Sequence, residues 1–229
     1  MSRSFWSVMA LAGLLAPQPS VAAQTFEGTI TMRLVAPGRE GPRTQEVQYQ
    51  ARGGKVRLTV ASPMGEMAMI ASPVEQKAYL LLDAQRMYLE LPLPSPKPAA
   101  TEPPTAAGRG RPGGGIDTVA GYPCTHRRLT LPDGRGGSQR LDACMSTALG
   151  PYLNPLTAMR GAFGGMLSGR SAGWQEALAA EEGFPLKVTL ADGTVAMEVT
   201  AVEKRRVSAS LFAVPADYVL QPLPKRPPA

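Results

Sequence analysis

Short turns flanked by alternating apolar residues constrain this chain more than any other feature of its sequence. Gly53-Gly54 is the clearest of them, because glycine reaches the backbone angles that a two-residue hairpin turn needs. A hairpin there brings apolar residues opposite one another on one face: Ala51 with Val56, Tyr49 with Leu58, and Val47 with Val60. The other face is polar and is expected to be solvated, with Gln48, Gln50, Lys55, Arg57 and Thr59. The alternation therefore predicts both the turn and the register.

The same test identifies further strands along the chain. Residues 25–36 alternate with period two, and residues 66–72 form another alternating segment. Turns at Ala84-Gln85 and Asp192-Gly193 also give consistent apolar pairs. The predicted pairs are Leu82 with Met87, Leu80 with Leu89, Leu81 with Tyr88, Leu190 with Val195, Val188 with Met197, and Leu186 with Val199. Together these segments predict an antiparallel sheet of about eight to eleven strands.

The two cysteines of the chain fit one disulfide. Residues 118–131 and 138–145 flank a Pro-Asp-Gly-Arg turn, and a hairpin centred on Gly134 sets Cys124 opposite Cys144. Two cysteines at this long spacing favour a disulfide over a metal site in an oxidising compartment. The same register places His126 near Asp142.

The N-terminus predicts export to the periplasm. Residues 1–23 combine Arg3, an apolar stretch of about ten residues and the small residues Val21-Ala22-Ala23, which is the pattern of a cleaved secretory signal peptide. The apolar stretch is too short to span a bilayer, and no later segment is apolar enough to do so. We therefore expect a protein without a transmembrane segment. Its formal net charge of +6 favours anionic surfaces without specifying a partner.

The rest of the chain is predicted to form one β-rich domain over residues 24–225, followed by a tail at 226–229. Residues 92–115 are rich in proline and glycine and are interpreted as a disordered insertion between strands. Helices are expected only late in the chain. One begins at Asn154-Pro155 and continues to Leu167, and a second runs from Trp174 to Glu182 and ends at Gly183.

Three motifs point to chemistry, and each has a simpler structural interpretation. Residues 108–112 match the core of a minor-groove DNA-binding segment, but an exported chain does not meet the chromosome, so we expect no nucleic-acid partner. Met64, Met67 and Met69 have a spacing that can bind Cu(I), yet methionine is also a common filler of apolar surfaces. His126 is the only histidine and is expected to pair with Asp142 at the surface. We therefore expect no metal, no cofactor, no catalytic residues and no enzyme.

Several short segments, taken in order, resemble the DUF4412 family of exported bacterial proteins, a domain of unknown function. The matching segments are Phe26-Glu27-Gly28-Thr29-Ile30, Gly54-Lys55-Val56-Arg57-Leu58, Lys77-Ala78-Tyr79-Leu80-Leu81, Met87-Tyr88, Val119-Ala120-Gly121-Tyr122-Pro123-Cys124, Gly183-Phe184-Pro185-Leu186-Lys187-Val188 and Phe212-Ala213-Val214-Pro215-Ala216-Asp217-Tyr218. That family is similar in turn to the periplasmic lipoprotein carriers LolA and LolB. The resemblance implies a mainly β fold with a few helices, in which a curved antiparallel sheet forms an incomplete barrel covered by one to three helices.

The apolar sheet face and this resemblance together lead us to expect a non-enzymatic periplasmic binding protein. It would hold a lipid or another apolar ligand in a half-barrel cavity between the sheet and its helices. The expected lining residues are Met32, Tyr49, Leu58, Met67 and Met69. The alternative is an envelope structural or protein-interaction module with a filled core, which contacts an envelope protein through a sheet edge or a basic loop. A carrier is expected to have an apolar pocket of roughly several hundred Å³, and an interaction module a packed interior.

Overall fold

The structure is a computed structural model that describes most of the chain after the predicted signal peptide. The described residues are 26–38, 41–62, 65–93, 111–132, 138–155, 158, 172–179 and 181–223. Several predictions fall outside them: the signal peptide at 1–23, the first helix at 156–167 apart from Ala158, the tail at 226–229, Met64, and the middle of the insertion at 94–110.

Within the described ranges, twelve strands form a single open sheet, which confirms the mainly β fold class. The strands are β1 (Gly28–Gly38), β2 (Gly41–Arg52), β3 (Lys55–Ser62), β4 (Gly65–Ser72), β5 (Lys77–Leu82), β6 (Met87–Pro92), β7 (Arg111–Val119), β8 (Tyr122–Pro132), β9 (Ser138–Ser146), β10 (Phe184–Leu190), β11 (Val195–Glu203) and β12 (Val219–Leu220). The predicted insertion at 92–115 is too long, because its last five residues already belong to β7. Strand β7 has proline and glycine residues in its first half, so its sequence shows no alternation of apolar and polar residues that would have predicted a strand. A register shift between Pro112 and Ile116 also interrupts its pairing with β8.

The sheet consists of two antiparallel meanders joined at its centre. Across the sheet the strand order is β12-β6-β5-β4-β3-β2-β1-β11-β10-β9-β8-β7. Strands β1 to β6 follow one another outwards, and β7 to β11 return from the opposite edge to the centre, where β11 pairs with β1. Strands β6 and β7 follow one another along the chain but lie on distant sides of the sheet. Every pairing among these strands is antiparallel except that of β12 with β6.

Most of the predicted cross-strand pairs are confirmed residue by residue. The hairpin at Gly53-Gly54 pairs β2 with β3 in the predicted register, and all three predicted pairs of β5 with β6 are present. Gly53 and Gly54 have φ angles of 56° and 76°, which residues with a side chain rarely adopt. Alternation therefore determines the register wherever a short turn joins two uninterrupted strands.

The predicted pairing of β10 with β11 is correct on one side of a β-bulge only. Val188 lies opposite Met197 as predicted, but Thr189, rather than Leu190, lies opposite Val195. The prediction for Leu190 is therefore wrong by one residue. A bulge adds an unpaired residue to one strand, whereas counting outwards from a turn assumes that every residue is paired.

The disulfide between Cys124 and Cys144 is confirmed, although the register around it differs from the prediction. Its Cα atoms are 5.2 Å apart. Cys144 lies opposite His126 rather than Cys124, so the predicted hairpin centre at Gly134 is one residue too early. This error moves each partner by two residues and keeps its side chain on the same face, so the cysteines meet as diagonal neighbours. His126 and Asp142 are in contact on the diagonal for the same reason.

One α-helix of the expected late pair is described, and it starts and ends earlier than predicted. The helix α1 spans Ala172–Ala179, with Trp174 and Leu178 buried in the main core. The predicted extension to Glu182 is wrong, since residues 181–183 form a bend before β10. Two glutamates would place negative charge at the negative end of the helix dipole. Neither α1 nor any other described helix is long and apolar enough to cross a membrane.

Apolar residues are buried on both faces of the sheet. Face A is the face that carries Ile30, Tyr49 and Leu58, and it holds the main core. On the opposite face B, residues 204–218 cross from β11 to β12, and we call them the C-terminal strap. The strap and the sheet form a second cluster of Ala68, Ile70, Leu81, Val207 and Phe212, against which Tyr79, Tyr88, Leu211, Val214 and Tyr218 pack.

Hydrogen bonds fix the C-terminal strap to the sheet. They join Arg52 to the Val207 carbonyl, Arg57 to the Leu211 carbonyl, the Val207 amide to Glu27, and the Tyr218 hydroxyl to Asp83. The prediction that Arg57 is solvated is wrong, because the strap leaves its side chain only 11 % exposed. The covering residue Leu211 lies 154 residues later in the chain, so alternation within β3 could not reveal it.

We expect removal of the disulfide to lower stability without changing the fold. Its cysteines are 20 residues apart, and in the chain-entropy model a cross-link of this length stabilises a protein by about 3 kcal/mol. The double variant Cys124→Ser/Cys144→Ser should lose about that much unfolding free energy in urea at unchanged circular dichroism. A reductant should lower the native protein to the same value and leave the variant unchanged. A native unfolding midpoint that is insensitive to reduction would contradict this expectation.

Candidate ligand-binding face of the sheet

Face A is apolar across all six strands of the first meander. Cross-strand pairing arranges its side chains in three rows that run from β1 to β6. The first row is Gly28, Ala51, Val56, Ala71, Ala78 and Leu91; the second is Ile30, Tyr49, Leu58, Met69, Leu80 and Leu89; the third is Met32, Val47, Val60, Met67, Leu82 and Met87. No charged side chain belongs to these rows, so they present a continuous apolar surface.

All five predicted lining residues lie on face A, and three of them are neighbours. Tyr49, Leu58 and Met69 are consecutive members of the second row, while Met32 and Met67 belong to the third row and are separated by two valines. Met67 is partly exposed, and the other four are buried. Their role as ligand contacts stays a prediction, and for four of them it requires neighbouring residues to move.

An aromatic cluster lies over the middle of face A. The Tyr49 ring is 5.0 Å from Phe184 and 6.1 Å from Tyr152 between centroids, and the rings of Tyr152 and Phe184 are 5.2 Å apart. The Leu153 amide donates a hydrogen bond to the Tyr49 hydroxyl at 3.4 Å. Burial raises the pKa of both Tyr49 and Tyr152, because a buried phenolate is poorly solvated. Tyr152 and Phe184 were not predicted as site residues, since their contacts with Tyr49 join segments far apart in the chain.

A cavity of about 50 Å³ lies beside the aromatic cluster, bounded among others by Phe26, Tyr49, Val56, Leu149 and Leu153. A water molecule occupies about 30 Å³ in the liquid, and pockets for small ligands measure about 300–1,000 Å³. As it stands, this cavity has room for water and not for a lipid chain.

The second and third rows become partly exposed towards the edge of the sheet. Besides the main core and the cluster beneath the C-terminal strap, there is a third buried cluster, formed by Met69, Ala71, Ala78, Leu91 and Ala158. Met67, Leu82 and Met87 are partly exposed and belong to none of the three clusters. Leu80 and Leu89 lie beside them in the second row and are also only partly buried. We call these five residues of β4, β5 and β6 the open patch. It is apolar, and its two methionines have flexible side chains that adapt to irregular partners.

The polar groups of the described residues include a surface ion pair and the phenols of face A. No group of three His, Cys, Asp or Glu side chains within the described ranges could hold a metal ion. His126 contacts Asp142 away from face A, with the two side chains 29 % and 35 % exposed, which confirms the predicted surface pair. On face A itself the titratable groups of the rows and the aromatic cluster are phenols held in their neutral form at neutral pH. This face can therefore bind apolar groups.

Comparison with known proteins identifies a family and several distantly similar solved structures. The family model for a domain of unknown function, DUF4412, matches residues 26–218. No curated protein matches the chain. An uncharacterized conserved protein from Thermus thermophilus is similar with a TM-score of 0.46 and 11 % identity, over 87 % of this chain and 92 % of that one. A structure of PNGF-II is similar with a TM-score of 0.41 and 12 % identity, over 85 % of this chain and 31 % of the other.

We expect Tyr49 and Tyr152 to ionise only when the protein unfolds in alkali. Their folded pKa values lie above the unfolded value of 10.0, so the neutral phenols stabilise the fold below pH 10 and this contribution is lost as the pH rises further. The Tyr49→Phe variant should remove one late-ionising tyrosine from the phenolate absorbance titration. It should also lose about 1 kcal/mol of stability at neutral pH, because the Leu153 amide loses its acceptor.

The Tyr88→Phe variant serves as the control, since it leaves both buried phenols of the aromatic cluster in place. It should preserve the late phase of the titration. Ionisation of Tyr49 in the folded protein near pH 10 would contradict the prediction and would mean that water reaches the ring.

Proposed function

The chain belongs to the DUF4412 family, a domain of unknown function, and we propose that it is a non-enzymatic periplasmic protein that binds a lipid or another apolar ligand on face A. The open patch carries this proposal, because its five side chains continue the buried rows of face A into partial exposure. Single exposed apolar residues are common on proteins, whereas contiguous apolar surface marks binding sites.

An acyl chain gains affinity from this face in proportion to the surface that it buries. Each buried methylene contributes about 0.8 kcal/mol. The open patch extends over three strands, or about 10 Å across the sheet, so it accommodates part of a lipid chain. A longer chain would follow the second row from Leu80 towards Met69 and Leu58 and would displace the residues that bury them.

We further propose that the sheet curves around face A, as in the LolA and LolB carriers. Tyr49 on β2 and Phe184 on β10 are separated by β1 and β11. In a flat sheet, three strand spacings would hold their backbones about 14 Å apart. The ring centroids are only 5.0 Å apart, which favours a sheet whose face A is concave. Open sheets of more than about ten strands also tend to curl.

Export to an oxidising compartment is part of this proposal. The sequence pattern of residues 1–23 provides the route. The disulfide between Cys124 and Cys144 is of the kind that forms and persists outside the cytoplasm.

An envelope structural or protein-interaction role is the second candidate. The packing of face A favours it, since Met32, Tyr49 and Leu58 are buried and the neighbouring cavity measures only about 50 Å³. In such a role the edge strand β7, where Ile116 is 79 % exposed, would add a strand from an envelope protein.

Native mass spectrometry of the protein purified gently from the periplasm, followed by organic extraction, distinguishes the two candidates. A bound lipid would support the carrier role and identify its ligand class. A bare protein that also binds no fluorescent fatty acid would overturn that role. A co-purifying protein complex without lipid would favour the second candidate. The intact mass of the same sample tests export, since the mature chain should begin at Gln24.

We expect Met67→Glu to weaken the binding of a fluorescent fatty acid by about tenfold or more, because it replaces apolar contact in the open patch with a carboxylate. Gln48→Glu is the matched control, since Gln48 is exposed on the opposite face of β2 and gains the same charge. The control should bind as the native protein does. Unchanged affinity in Met67→Glu, or an equal loss in both variants, would contradict the proposed site.

A further inference from the structure

Most cationic side chains on the described part of the sheet contact a carboxylate. Examples are Arg33 and Lys187 with Glu198, Lys55 with Glu75, and Lys77 with Glu90. The corner where β7, β8 and β9 meet differs. Arg111, Arg128 and Arg140 take part in none of the ion pairs formed between described residues.

Strand pairing concentrates positive charge at this corner. Arg111 lies directly opposite Arg128, an arrangement of like charges that destabilises a sheet. Asp142 is the partner of Arg128 on the other side, but its carboxylate contacts His126 instead. Arg128 donates one hydrogen bond to the Gly113 carbonyl at 2.8 Å, which leaves most of its donors free among the described residues.

A groove of about 360 Å³ lies at the same corner. Arg128, Arg140, Thr130 and Thr189 line it, together with Asp142. Arg140 is opposite Thr130 across β8 and β9, and Thr189 is opposite Asp142 across β9 and β10. Three adjacent strands therefore hold two guanidinium groups and two hydroxyl groups on face B, around a space large enough for a small anionic group.

We propose that this groove binds a phosphate group, either of a soluble phosphate or of a lipid headgroup. A guanidinium presents a planar fork of donors that matches two phosphate oxygens, and the threonine hydroxyls supply further donors. A bound phosphate balances the positive charges of Arg128 and Arg140, which contact no carboxylate among the described residues. The groove on face B of β8 to β10 is separate from the open patch on face A of β4 to β6, so this inference does not rest on the proposed function.

The test measures phosphate binding by the full mature chain in two forms. One arm titrates inorganic phosphate by calorimetry, and the other sediments vesicles of phosphatidylglycerol in phosphatidylcholine against vesicles of phosphatidylcholine alone. Binding of inorganic phosphate identifies a soluble ligand, and binding only to the phosphatidylglycerol vesicles identifies a headgroup. Each of these results supports the proposal. If the protein binds neither inorganic phosphate nor the phosphatidylglycerol vesicles, the proposal is overturned.

Variants separate a built site from general attraction to positive charge. Arg128→Gln/Arg140→Gln should weaken binding by about tenfold or more, because charge-assisted hydrogen bonds are lost. Arg33→Gln/Arg205→Gln removes the same charge from arginines that contact Glu198 and Glu203, and it should bind within about twofold of the native protein. An equal loss in both double variants overturns the proposal.

Melting temperatures show whether a variant that does not bind phosphate is still folded. Phosphate should raise the melting temperature of the native protein and leave that of Arg128→Gln/Arg140→Gln unchanged, since a ligand stabilises only the fold that binds it. Without phosphate the double variant should be at least as stable as the native protein, because it loses a like-charge contact. The single variant Arg140→Gln, on an exposed residue, repeats the measurement with less change to the sheet. Equal stabilisation of native and variant proteins by phosphate contradicts the assignment.

Discussion

The pairing of β1 with β11 is the contact on which the rest of the structure depends. On one side of this pair lie strands β2, β3, β4, β5 and β6, and on the other side lie β10, β9, β8 and β7. Without the pair, the chain would form two separate meanders. Arg33 and Glu198 meet across this seam at 3.2 Å although they are 165 residues apart in the chain. Closing so distant a contact costs more chain entropy than closing a hairpin. The seam therefore carries a larger loop-closure cost than the hairpins on either side of it.

Both faces of the sheet use this seam. On face A, Tyr49 of the first meander contacts Phe184 of the second, and together with Tyr152 they close the middle of the main core. On face B, Glu198 accepts contacts from Arg33 on one side and Lys187 on the other. The open patch and the basic groove lie on opposite sides of the seam and on opposite faces. The seam thus sets the positions of two surfaces that no single hairpin could bring into one molecule.

The contacts within hairpins could be predicted from the sequence, and the contacts between distant segments could not. A two-residue turn such as Gly53-Gly54 leaves one register that buries every apolar residue, so the pairs of β2 with β3 followed from alternation. The bulge in β11 and the turn between β8 and β9 add residues that alternation does not reveal. The order of the meanders across the sheet depends on the seam, for which local pattern carries no signal.

The candidate site divides in the same way. Tyr49, Leu58 and Met69 could be placed on one face because they belong to consecutive hairpins. Tyr152 and Phe184 approach Tyr49 from segments more than a hundred residues later in the chain. The exposure of Leu82 and Met87 depends on what other segments leave uncovered. The two arginines of the groove, which form no ion pair with the described residues, were likewise visible as charges in the sequence, but only the register placed them on adjacent strands.

The C-terminal strap has a consequence for an incomplete chain. Ala68, Ile70 and Leu81 are buried on face B beneath Val207 and Phe212. A chain that ends before residue 204 retains the segments of eleven strands but leaves these residues uncovered, as an apolar surface of the kind that holdase chaperones and proteases recognise. The C-terminal strap thus decides whether this apolar surface is covered or exposed. Chaperones and proteases can therefore distinguish a truncated chain from a full-length one by the exposed apolar surface alone.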